Sequence, residues 1–168
     1  INRRTHTNAQ IHYGAFNTMK ADVQQNFKTD RFSFQAHLSA VNSDGYRENN
    51  HLKKRTALAA GDVKFKIFDI EYFLYATYLN AGIPSSLGKT DFETNPKEAA
   101  HNWKDVEGYK RYHKGVGGVS FVKQFNSNWI NKLILFGKWN DSYERRPFNN
   151  LDDASLGGGI RNRLTYYS

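Results

Sequence analysis

The sequence predicts an all-β fold: an antiparallel, up-and-down transmembrane β-barrel segment of about eight strands, with short turns at one end and long loops at the other. Three observations carry that expectation. Apolar and polar residues alternate with a period of two in one segment after another. The connections between these segments alternate between tight and long, which places the length at one end of the sheet. Over 168 residues the composition is 15% aromatic but only 39% hydrophobic, so the excess of Phe and Tyr comes without a large aliphatic core. A barrel with aromatic girdles and a wet interior has that composition.

The strands follow in order. TNAQIHY at 7–13 opens the series. In MKADVQQNF, Met19, Ala21, Val23 and Phe27 oppose Lys20, Asp22, Gln24 and Asn26. RFSFQAHLSAV sets Phe32, Phe34, Ala36, Leu38 and Ala40 against Ser33, Gln35, His37 and Ser39, and TALAAGDVKF sets Ala57, Ala59, Val63 and Phe65 against Asp62 and Lys64. FDIEYFLYATYL, GGVSFVKQF, NKLILFGKWN and IRNRLTYY complete eight segments, each of about 8 to 12 residues, the span of a tilted membrane strand. Thr29-Asp30, Lys66 to Asp69 and Asn126 to Asn128 are the tight connections. Asn42 to Asn50, Asn80 to Lys110 and Glu144 to Ala154 are the long ones, and the short Gly14 to Asn17 falls on their side.

The alternation then assigns faces. Lipid is expected to meet Phe32, Phe34, Leu38, Val63, Val119, Phe121, Leu133 and Leu135; the lumen is expected to hold Gln35, His37, Asp62, Gln124, Lys138, Arg161 and Arg163. A soluble antiparallel sheet with one wet face has the same alternation. The one-sided loops and the aromatic excess favour the barrel.

Within the longest loop, IPSSLGKTDFETNPKEAAHNW at 83–103, Asn95-Pro96 reads as a helix start and Glu98 stands at the capping-box offset. The spacing predicts a helix from Pro96 to Glu107, with Ala99, Trp103 and Val106 on one face and Trp103 tucked against the barrel mouth. Glu107 and Arg111 form an i,i+4 pair in this reading, and Gly108 stops the helix.

Charge and chemistry exclude several classes. The chain has 24 Lys+Arg against 16 Asp+Glu, a formal +8. Its densest basic groups, Lys53-Lys54-Arg55, Lys110-Arg111 and Arg145-Arg146, are far apart and mixed with acids, which argues against a nucleic-acid stripe. The absence of cysteine excludes a disulfide scaffold and a thiolate metal site. No apolar run is long enough for a membrane helix, and no signal peptide stands at Ile1. The chain opens in mid-pattern and is expected to be part of a longer protein. The six His residues show no metal spacing, and His101 with Asp91 and Glu93 reads as a solvated charged loop. No catalytic constellation or cofactor motif is present, so no enzymatic activity is expected. The runs Gly115 to Gly118 and Gly157 to Gly159 lie among strands and read as places where strands bend or aromatics pack.

Several segments taken together add a resemblance. IPSSLGKTDFETNP, followed by Ala99-Ala100, Trp103, Gly108-Tyr109 and Tyr112, resembles the third extracellular loop of Bacteroidetes-type TonB-dependent receptors. NSDGYREN at 42–49 is similar to the second loop, YERRPFNNLDD at 143–153 to the fourth, and RNRLTYY at 161–167 to the strand after it. The resemblance implies an outer-membrane barrel of 22 strands around an N-terminal plug. Uptake of a scarce ligand, above all a ferric siderophore, would be energised through TonB. The plug, the TonB-contact segment and about two-thirds of such a barrel would lie outside these 168 residues. A complete eight-stranded outer-membrane protein of structural or adhesive type is the alternative, and a soluble β-rich binding module is the other.

For ligand binding the sequence offers Arg145 and Arg146, whose guanidinium groups suit anionic chelates, and Trp103, Tyr109 and Tyr143 as flat contact surfaces. Arg111 completes the candidate set. The plainer reading of the arginine pair is a solvated loop or a contact with anionic lipopolysaccharide.

Overall fold

The computed structural model describes residues 4–168, so the start at Ile1 lies outside the described residues. Eight strands form one antiparallel sheet in sequence order: β1 (Arg4–Gly14), β2 (Thr18–Lys28), β3 (Phe32–Ser43), β4 (Leu52–Lys64), β5 (Asp69–Gly82), β6 (Tyr109–Gln124), β7 (Trp129–Arg145) and β8 (Asn150–Tyr166). Two short helices, α1 (Lys89–Thr94) and α2 (His101–Asp105), lie between β5 and β6. The sheet is open. β1 and β8 are its edges, and among the described residues they do not pair with each other.

The register sorts the side chains into two faces without a slip. One row on the first face runs Ala9, Val23, Leu38, Ala57, Ala76, Gly115, Trp139, Leu156 across all eight strands. One residue further along each strand, on the opposite face, the row reads Gln10, Asp22, Ser39, Thr56, Thr77, Lys114, Asn140, Ser155. The eight residues expected to meet lipid all share the first face, and the seven expected in the lumen all share the second. A register error of one residue would have exchanged the two sets.

Neither face is covered. Ala99, in the long loop, is the one buried apolar residue among those described, while Val23, Leu38, Leu74 and Ile160 are exposed. The sheet is a single layer that encloses no core of its own. On the apolar face the aromatic pairs gather in two bands. At the turn end are Phe27–Phe32, Phe65–Phe68, Phe68–Phe121 and Trp129–Tyr166, with ring centroids 5.0 to 6.3 Å apart. At the loop end are Tyr78–His113 at 4.8 Å and Tyr109–Tyr143 at 5.9 Å. Between the bands the positions are mostly Ala, Leu, Val and Gly, with Tyr72 and Trp139 among them. The glycine runs take the rings expected of them: a Cβ at Gly115 would collide with the Trp139 indole, and one at Gly159 with the Phe136 ring.

Two expectations are corrected. The loop predicted from Glu144 to Ala154 is a tight connection at 146–149, because β7 and β8 continue as a paired ribbon up to Arg145↔Asn150. Pro147 favours extended backbone before it, and DSYER hides the strand because Tyr143 alone marks its apolar face. The helix predicted from Pro96 to Glu107 is also replaced. α1 precedes it and ends at Asn95, whose φ of −145° and ψ of 78° are non-helical, and α2 begins only after Ala100.

Candidate functional site

Asn95 and Glu98 form no side-chain cap. The Glu98 amide bonds the Asn95 carbonyl at 3.1 Å in a turn, and the Ala100 amide reaches the Pro84 carbonyl at 2.8 Å. That long-range bond and the burial of Ala99 keep residues 98–100 out of a helix, so tertiary packing overrides the local helix signal. Glu107 then takes a left-handed φ of 47°, which ends α2 and leaves the expected Glu107–Arg111 pair unformed among the described ion pairs. Gly108 does not supply the left-handed stop. It is required by contact instead: a Cβ there would meet the Trp103 ring and, at 3.2 Å, the Arg145 carbonyl.

The loop after β3 clasps this segment. Arg47 donates from Nη1 to the Ser85 carbonyl at 2.6 Å and from Nη2 to the Glu98 carbonyl at 2.8 Å, and its Nε reaches the same Glu98 oxygen at 3.0 Å. The Asn49 amide donates to the Gly108 carbonyl at 2.8 Å and the Ile83 carbonyl at 3.1 Å. These bonds give the Ser85, Glu98 and Ile83 carbonyls donors that no strand supplies, and they add a second donor to the Gly108 carbonyl, which the Ile83 amide also reaches at 2.9 Å. Lys104 of α2 pairs with Glu48 at 2.8 Å. This bond is the leading reason that Glu48 sits below, and Lys104 above, its ordinary pKa, against a smaller opposing effect of burial. Tyr46 packs edge-on to Phe16 at 5.5 Å and lies under the Lys97 ammonium at 5.9 Å. Asn49 and Ser85 hold left-handed φ values of 50° and 57°, backbone strain tolerated because the clasp fixes both segments.

The six predicted ligand residues divide. Trp103 is half-buried on Gly108, beside the Arg145 carbonyl. Tyr109 pairs with Arg145, and Arg111 with Tyr143, across β6 and β7. All four share the face that carries Phe121, Leu133 and Leu135. Arg146 is separate: its Nε donates to Glu144 Oε1 at 2.6 Å, and Glu144 lies on the polar face, where Lys110 also bonds it at 2.9 Å. Glu144 is 9% exposed, with these two cations as its partners.

The Arg47, Asn49 and Glu48 contacts were missed by sequence reasoning, since Arg47 and Glu98 are 51 residues apart and no spacing rule links them. Among the described residues no group of three or more His, Asp or Glu is placed to hold a metal ion, and no helix is long and apolar enough to cross a membrane. No protein-family model matches the chain, and no curated protein sequence matches it either.

Proposed function

We propose that this sheet is part of the wall of an outer-membrane β-barrel. More specifically, we assign it to a ligand-binding and transport receptor of the TonB-dependent class. The carrying observation is the pairing of one uninterrupted apolar row with one uninterrupted polar row across eight strands that have no core between them. Lipid on one side and a wet lumen on the other would give each row its solvent. The two aromatic bands stand where membrane interfaces would lie, and the loops project beyond one of them. The resemblance of the loop sequences supplies the receptor class and its cargo, a ferric siderophore or similarly scarce ligand taken up through TonB.

Within this reading the cargo faces the polar side of the loop end. Arg146 is the predicted residue that bonds a polar-face group: its partner is Glu144, whose other oxygen is held by Lys110. Titration of the full-length protein with a panel of ferric chelates tests the assignment. Arg146→Ala is expected to weaken one chelate about tenfold, the worth of one charge-assisted hydrogen bond. Equal affinity of parent and variant for every chelate would remove Arg146 from the site, and no chelate binding at all would remove the cargo.

A further inference from the structure

The apolar face has one feature that a uniform lipid contact does not explain. A depression of about 550 Å³ lies on it, floored by Ala21, Ala40, Ala57 and Ala76 and walled by Leu38 and Trp139. Small side chains in neighbouring strands make the hollow, because each Ala leaves unfilled the height that Leu or Phe would occupy. At its loop-end rim stands Arg55, whose row continues through Tyr78 and His113. The next row up on the same face contains Lys53, Asn80 and Arg111.

These three cations form a cluster by strand geometry alone. Lys53 and Arg55 are two residues apart on one strand, about 7 Å, and Arg111 lies two strands from Lys53, about 10 Å. All three are exposed. The ion pairs within the sheet, Lys20–Asp22, Lys132–Glu71 and Lys110–Glu144, belong to the opposite face. Among the described residues no carboxylate lies within salt-bridge distance of Lys53, Arg55 or Arg111. The acids on these rows are Asp141 and Asp152; Asp141 is the diagonal cross-strand neighbour of Arg111 on β7, but the two form no ion pair, and Asp152 lies a strand further away on β8.

We infer that this surface is a binding site for one phosphate-bearing acyl lipid of the surrounding leaflet. The acyl chain lies in the alanine-floored depression, and its phosphorylated head group is held by Lys53, Arg55 and Arg111. Guanidinium groups fit phosphate through paired donors, and a cationic rim above an apolar slot complements an amphiphile of that polarity. The inference rests on the reading of this face as lipid-facing and adds to it a specific occupant.

The test uses the full-length protein purified in a neutral detergent. Retention of bis-phosphorylated lipid A through gel filtration is compared with retention of its dephosphorylated form. The phosphorylated lipid is expected to be retained about tenfold more, and Lys53→Ala/Arg55→Ala is expected to remove most of the difference while ferric-chelate binding stays unchanged. Ala57→Phe, which fills the depression, is expected to reduce retention of both forms. Equal retention of the two lipids by the parent, or an unchanged preference in the double variant, would overturn the site while leaving the membrane reading intact. Displacement by an equal concentration of inorganic phosphate would also overturn it, since the acyl chain would then contribute nothing. A protein that is folded and monomeric in plain buffer would overturn both readings together.

Discussion

In the sheet, Val23 and Leu38 stand 45% and 56% exposed on a face that no other element covers, whereas in the loops Ala99 is 1% exposed beneath a network of side-chain hydrogen bonds. The two regions solve the burial problem by different means. The strands satisfy their backbone groups against one another and leave their apolar side chains to whatever surrounds the sheet. The loop cap has no ladder, so its carbonyls are met by Arg47 and Asn49 and its charges by Glu48 and Lys104. One region therefore depends on its medium, and the other carries its own partners. The cap brings its own partners, while in the proposed reading the sheet takes lipid on its apolar face.

The comparison is broken most forcefully from the sheet side. Ala57→Arg places a charge in the middle of the apolar belt and is expected to cost about 2–4 kcal/mol of folding stability in bilayers. Thr56→Arg, the adjacent residue on the polar face, is expected to cost well under half as much. Urea titrations of the full-length protein in vesicles measure both, and equal losses would mean that the two faces share one environment.

The next test loosens the cap alone. Arg47→Ala leaves the Ser85 and Glu98 carbonyls without their charged donor, at a cost of about 2 kcal/mol. Amide exchange at residues 98–106 is expected to quicken about thirtyfold, that energy converted through RT, while exchange in the strands does not change. Strand amides that quicken by the same factor would show that cap and sheet open as one unit.

The smallest effect is electrostatic. Glu48 has a depressed folded pKa, so its stabilisation is present above the ordinary carboxylate range and is lost as pH falls through the depressed value. Lys104 has a raised folded pKa, so its share is complete below the ordinary lysine value and is lost as pH rises through the raised one. Cap protection is expected to be flat near neutral pH and to fall slightly at either extreme. Glu48→Gln is expected to remove the acid limb, and an unaltered acid limb in that variant would assign it to another group.

Much of the sheet was legible from the residues because a face that meets one solvent throughout must repeat with the period of the pleat. Phe32, Leu38 and Val63 announce the apolar face, and Gln35, His37 and Asp62 the polar one. The signal fades at the loop-end aromatic band: in DSYER only Tyr143 marks the apolar face, the alternation is too weak to read, and β7 and β8 run further than the pattern showed. The loop cap was legible only in part. Pro96 and Trp103 mark local structure, but the breaks at Asn95 and Ala100 are set by Pro84 and Arg47 from distant segments. The six candidate residues were chosen by chemistry. Register places Tyr109, Arg111, Tyr143 and Arg145 on the apolar side, a hydrogen bond to Glu144 ties Arg146 to the polar side, and Trp103 packs on Gly108; residue type encodes none of these.

The central claim is that one face of the sheet meets lipid and the other water. These 168 residues contain no Cys, so single cysteines can be placed without a background from this region. A polarity-sensitive fluorophore at Val23, Leu38 or Ala76, and in turn at Asp22, Ser39 or Thr77, reports each row when the full-length protein is reconstituted into vesicles with brominated acyl chains. The account predicts strong quenching at all three apolar-row positions and none at the polar-row positions. Equal quenching in the two rows, or none in either, would contradict it.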